Sequence, residues 1–267
     1  MKAMVCKVVL VFLLVKLPLC EGAFQRQNVQ RLPRFSAAER LPVAICYNPA
    51  LIGLIDTPAL RGEYTDLFNL KFLRRQSGIV GFPSALGKFG LGIVQFGDEH
   101  YREQTLSILY GFKLTGAARL GIGLHEYRLT IPHYGKAGTF GVDVGAHWQV
   151  SPQWEWELAY ANINQAQLQS SGELLPQQIY GAMQYTPFRT LTGHAYLIQE
   201  LGFPIRYGVG TAYRPFPWMD IAIDFITDPL RGSVGLNLHW RIVHLEYMVS
   251  SHSVLPLTHR FGLLVTF

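Results

Sequence analysis

The chain has 267 residues, 49% hydrophobic and 15% charged, with a formal charge of +5. An ordinary soluble chain is about a quarter charged, so this composition points away from one. The basic residues are scattered, which excludes a nucleic-acid-binding stripe and leaves no nucleic-acid partner to expect.

The first residues, MKAMVCKVVLVFLLVKLPLCEGAF, carry a basic start at Lys2 and Lys7 and an apolar run from Val8 to Val15. That run has the length of a signal-peptide core and is too short for a membrane anchor, which needs about 20 apolar residues. Residues 1–22 are therefore expected to be a leader cut after Gly22, with Cys20 and Gly22 as the small residues before the cut. Leu19 is too large for a lipoprotein box before Cys20. Cys6 and Cys20 fall in the leader, so Cys46 is left as a small buried residue with no disulfide or zinc partner.

Past the leader, apolar and polar residues alternate with period two, which places them on opposite faces of strands. From 139, Phe140, Val142, Val144, Ala146, Trp148 and Val150 oppose Asp143, Gly145, His147 and Gln149. Thirteen such segments are expected: 64–73, 88–97, 103–113, 117–127, 139–150, 154–163, 178–186, 191–201, 205–214, 218–227, 231–240, 242–250 and 258–267. Soluble strands average about five or six residues, whereas a tilted strand crossing a bilayer needs about nine to eleven. From residue 114 on, every second link is short, and RLTIPHYGKAG and QAQLQSSGELLPQQ are among the links between. Outer-membrane barrels have this asymmetry of short periplasmic turns and longer outer loops.

Trp148, Trp154, Trp156, Trp218 and Trp240 all lie near short turns, and the chain ends on Phe267 at the same edge. Together they are expected to form a periplasmic aromatic girdle. The opposite face of the strands carries Arg119, His125, Asp143, His147, Glu155, Glu157, Arg206, Asp220, Asp224, His239, His244, Glu246 and Arg260. Charges facing lipid would each cost about 2–4 kcal/mol near mid-membrane, so these residues should face the lumen. A large soluble β-sandwich would share the alternation but explains neither the strand length, the tryptophan rim nor the aromatic end. The expected fold is an all-β transmembrane antiparallel barrel of twelve to fourteen strands with a short N-terminal plug.

Catalytic and metal chemistry find little footing. His239 and His244 sit on different strands across a one-residue turn at Arg241, with Glu246 on the same lumen face, and lumen hydrogen bonding is preferred to a metal there. Glu155 and Glu157 could be an acid–base pair, but pairing with arginines is preferred. Ser250, Ser251, His252 and Ser253 lack an oriented partner, so no enzyme is expected. The glycine-rich stretches are strand glycines, and no cofactor is implied; Gly121, Gly123, Gly208 and Gly210 on the inner face would leave room for a plug.

Residues 46–54, CYNPALIGL, place Asn48, Pro49 and Ala50 just before the first strand. With the glycine-rich strand at 85–99 and the closing segment 245–267, this resembles the FadL-type outer-membrane barrels and the related PorV/PorQ family. The resemblance implies a fourteen-stranded barrel whose plug motif is Asn48, Pro49 and Ala50. It gives residues 23–60 as plug or periplasmic segment and 61–267 as barrel, in the outer membrane of a bacterium and in contact with its lipids. The leading functional expectation is a PorV/PorQ-like accessory to a type IX-like export system, with secretion proteins or cargo as partners. The alternative is a FadL-like channel for a hydrophobic small molecule, and a purely structural barrel stands third.

Overall fold

The computed structural model describes residues 23–24, 35–169 and 172–267. The expected leader lies outside them. Fourteen antiparallel strands form a closed barrel in sequence order. They are β1 (Ala59–Asp66), β2 (Arg74–Ser84), β3 (Gly87–Gly97), β4 (Arg102–Lys113), β5 (Ala118–Ile131), β6 (Gly135–Gln149) and β7 (Trp154–Ala161). The second half is β8 (Gln178–Phe188), β9 (Leu191–Glu200), β10 (Arg206–Phe216), β11 (Met219–Ile226), β12 (Arg231–Trp240), β13 (Val243–Ser250) and β14 (Thr258–Thr266). β1 pairs with β14, from Ala59 opposite Thr266 to Asp66 opposite His259. Phe267 donates its N–H to the carbonyl of Pro58 at 2.9 Å. No sheet edge is left open, which is the condition for strands to cross a bilayer.

Two sequence expectations are corrected at the ends of strands. The segment expected at 64–73 is the end of β1, a 3-10 turn at Leu67–Asn69 and the link to β2. Phe68 and Asn69 have φ of 57° and 55°, which turns the chain where alternation alone suggested a continuous strand. The true pair β1 and β2 carries outward glycines at Gly62 and Gly78, and these blank out the apolar side of the pattern. The link expected from RLTIPHYGKAG is mostly strand: β5 and β6 run on to a turn at 132–134. The tight links at 85–86, 114–117, 150–153, 189–190, 217–218 and 241–242 all lie at one end of the barrel.

Alternation sorts the residues between the two faces. In β11, Asp220, Ala222, Asp224 and Ile226 are buried inward while Ile221, Ile223 and Phe225 are exposed outward. Leu91, Ile108, Leu124, Leu158, Val209, Leu236 and Leu263 are similarly exposed on other strands, giving an apolar outer belt. No described helix is long and apolar enough to cross a membrane; the crossing elements are the strands. At the tight-turn end Trp148, Trp154, Trp156, Trp218, Trp240 and Phe267 are all exposed. Trp154 stacks on Tyr185 at 4.4 Å and Phe216 on Trp218 at 5.3 Å, and the same end carries a run of rings from Phe82 through Phe89 and Tyr110 to Phe112.

The core is built inside the barrel by residues 35–58. A 3-10 turn at Ala38–Arg40 leads into the short helix α1 (Leu41–Cys46), and a second 3-10 turn covers Pro49–Leu54. Pro42 and Pro49 stand at the starts of their turns, where a missing N–H costs nothing. Leu41, Ile45, Leu51, Ile52 and Ile55 are buried with Ile79, Leu109 and Tyr180 of the wall. Each such side chain contributes about 1.5–3 kcal/mol by leaving water.

Candidate functional site

The lumen is the candidate site, and glycines and paired charges share its wall. On the β2–β6 side the wall is made of glycine where the plug lies. A Cβ at Gly92 would come within 2.0 Å of Ile45, at Gly111 within 2.6 Å of the Gly53 nitrogen and at Gly121 within 2.3 Å of the Ala50 nitrogen. Asn48, Pro49 and Ala50 are fully or nearly buried against this surface. Asn48 Oδ1 accepts from the Ala50 N–H at 3.1 Å, and its Nδ2 donates to the Ala146 carbonyl at 3.1 Å. The motif thus caps its own turn and bonds to the barrel wall. Of the four glycines expected to make room for a plug, Gly121 does so. Gly123 makes room for His125, Gly208 for Tyr196, and Gly210 for Asp224 and His194.

Charged and paired side chains line the rest of the lumen, on β4 to β6 as well as on the strands beyond. Glu155 accepts from Arg40 of the plug and lies 3.2 Å from His147 Nε2. Burial works against the Arg40 charge, but Glu155, Glu157 and Glu39 outweigh it and hold its pKa above the ordinary arginine value. Glu246 bridges two arginines, accepting from Arg61 at 2.7 Å and Arg260 at 2.9 Å, while Arg61 also donates to Glu63 at 2.7 Å. Asp220 accepts from Arg214 and lies 2.8 Å from His239 Nε2. Asp224 meets His194 at 2.8 Å and Tyr196 at 2.9 Å. His125 Nε2 lies 3.0 Å from Asp143, and its Nδ1 lies 2.8 Å from the Ser107 hydroxyl. Arg119 donates to the Gly53 carbonyl at 3.2 Å, and Arg206 lies 3.9 Å from Glu200.

Sequence reasoning passed over Glu39, Arg40, Arg61, Glu63, Ser107, His194, Arg214 and Phe35. Arg61 and Glu63 fell outside the expected first strand. Glu39 and Arg40 lie in a segment with no periodicity, so nothing in the sequence aimed them at the wall. Arg214 lies over the Phe35 ring at 4.4 Å. Glu246, which shares a face with His239 and His244, is taken by the two arginines rather than by the histidines.

At the end opposite the tight turns, residues 162–169 and 172–177 of the link between β7 and β8 pack on the barrel wall. Ala166, Leu168 and Leu175 of this link form a buried cluster with Phe24 and Tyr127. Phe24 stands edge-on to Tyr127 at 5.0 Å and donates its N–H to Glu103 at 2.9 Å. Asn162 anchors the link: its backbone N–H donates to Asp143 at 2.8 Å and its side chain to the Leu175 carbonyl at 2.9 Å. The lumen thus holds an apolar cluster at one end, an apolar plug seated on glycines and ion pairs around it.

No family model matches the chain, and no curated protein matches it by sequence. Solved structures do match by fold. The toluene transporter TbuX of Ralstonia pickettii superposes with a TM-score of 0.61 at 12% identity, over 85% of this chain and 94% of that one. The monoaromatic hydrocarbon channel CymD gives 0.60 at 9% identity, over 90% and 95%. A FadL homologue of Pseudomonas aeruginosa gives 0.54 at 11% identity, over 85% and 94%. The fold of this chain is therefore that of the bacterial outer-membrane barrels of FadL type.

Proposed function

We propose that this protein is an outer-membrane channel for a small hydrophobic molecule, the second of the functions expected from the sequence. The observation that carries the reading is a fourteen-stranded barrel with an apolar plug seated on a glycine wall. Side-chain packing, hydrogen bonds and the Arg40–Glu155 ion pair hold that plug to the wall. Contacts of this kind can yield to a ligand. Phe24, Tyr127, Leu168 and Leu175 pack into a buried apolar cluster at the outer mouth, which an apolar solute would have to part. The transporters TbuX and CymD share the architecture and point to a monoaromatic hydrocarbon or a molecule of that size. The neighbours named above are transporters and channels rather than secretion proteins, so the export-accessory reading is not carried further. Residues 1–22 would be removed after Gly22, the segment from Ala23 would form the cap and plug, and the tight turns would face the periplasm.

The test is uptake of radiolabelled toluene by cells that carry this barrel in place of their own hydrophobic channels. Toluene entry should rise above the empty-vector rate while entry of a sugar of similar mass stays at background. Equal toluene rates with and without the barrel would sink the reading.

A further inference from the structure

Among the described residues, one cluster of three His, Cys, Asp or Glu donors is close enough to share a metal ion: Glu39, His239 and His244, whose ligand atoms lie within 4.8 Å of one another. The two histidines sit opposite each other in β12 and β13, one residue from the tight turn at 241–242. Glu39 comes from the plug. Neither sheet register nor sequence spacing relates it to the hairpin.

The orientations of His239 and Glu39 are fixed from behind. His239 places Nε2 at 2.8 Å from Asp220 Oδ2, and a carboxylate can only accept there, so Nε2 carries the proton and Nδ1 offers its lone pair. That lone pair faces His244 Nδ1 at 2.6 Å, with the two rings nearly perpendicular at 89°. Asp220 is itself held by Arg214, so a carboxylate–histidine pair backs the site as it does in many metal centres. Glu39 is buried; its Oε2 accepts from the Phe35 N–H at 3.3 Å, and its Oε1 lies 4.0 Å from His244 Nδ1. Two imidazoles and a carboxylate form a borderline donor set suited to zinc, with a fourth position for water. Ligands on zinc stand about 3.3 Å apart for bonds of about 2.0 Å. The histidine pair must therefore open by about 0.7 Å and Glu39 must approach by up to about 1.5 Å.

We propose that Glu39, His239 and His244 bind a divalent transition metal of the zinc type, clamping the plug to the β12–β13 hairpin at the tight-turn end of the barrel. Bound metal would hold the plug seated, and its loss would free the plug from this wall.

The experiment uses the full processed protein in detergent, purified without a histidine tag and stripped with chelator. Cobalt should bind once per chain with the visible absorption of a low-symmetry site, and zinc should displace it. His239→Ala and Glu39→Gln should each abolish the absorption. Asp220→Asn, which keeps the ligands but loses their support, should weaken affinity about 10–100-fold. Heat-shifted mobility in SDS gels verifies that each variant is a folded barrel. The clamp is read at Cys46, buried in α1 of the plug, by its rate of thiol modification. Zinc at 100 times its Kd should slow that rate about 100-fold in the parent chain and leave it unchanged in Glu39→Gln. Cobalt binding that survives His239→Ala, no binding by the folded parent chain, or binding without slowed labelling would each overturn the proposal. In the second case the histidine pair is a shared-proton hydrogen bond and nothing more.

Discussion

Asn48 and Gly145 occupy one another's space: a Cβ built on Gly145 would stand 2.0 Å from Asn48 Oδ1. The plug residue fits only because the wall residue has no side chain. The same relation holds between Ala50 and Gly121, so the seat of the plug is cut into the backbone of β5 and β6.

Gly145→Ala should unseat the plug while sparing the barrel. Asn48 cannot move aside without losing its bonds to Ala50 and Ala146. Overpacking of this kind costs about 1–3 kcal/mol. Cys46 should react with thiol reagents faster than in the parent chain, at unchanged heat-shifted mobility. Unchanged Cys46 reactivity would show that the wall can yield.

Asn48→Ala removes the cap of the 3-10 turn and leaves the Ala146 carbonyl without its side-chain donor. The loss is about 1–3 kcal/mol of plug docking. Combined with Gly145→Ala it should add little, because both changes break the same contact. A double-mutant cycle on Cys46 reactivity measures this.

Arg61→Met leaves Glu63 and Glu246 with Arg260 as the remaining strong cation in their network. Removing one partner of a buried ion pair costs about 3–5 kcal/mol. Adding Glu63→Gln should recover part of that loss by restoring charge balance. Urea unfolding in detergent, followed by tryptophan fluorescence, is the readout, and a double variant weaker than Arg61→Met alone would contradict the account.

The outer belt makes its own claim. Leu236 lies midway along β12, and Trp240 lies at its tight-turn end. An arginine should cost about 2–4 kcal/mol at Leu236 and about 0–1 at Trp240 when the barrel folds into bilayers. Equal costs at the two depths would mean that this face does not meet hydrocarbon.

Phe267 is exposed on the outside, and its backbone, not its ring, bonds to Pro58. Phe267→Ala should therefore leave the unfolding midpoint of refolded protein nearly unchanged. A clearly lowered midpoint would show that the exposed ring, and not only the backbone bond, holds β14 to β1.

Period-two alternation determined the barrel from sequence alone, because a strand sorts its residues by face whatever lies elsewhere in the chain. It pointed to the inward charges from Arg119 to Arg260 and to the tryptophan rim, but with a one-residue turn read at Arg241 it did not set His239 opposite His244; the two-residue turn at 241–242 does. It failed at β1 and β2, where Gly62 and Gly78 carry no side chain to be sorted. What faces what across the lumen belonged to tertiary structure. Glu246 looked like a partner of the histidines, yet Arg61 and Arg260 hold it, and Glu39 takes its place from about two hundred residues away in the chain. Such meetings depend on how the closed wall and the segment inside it fill one volume, and no local spacing encodes that.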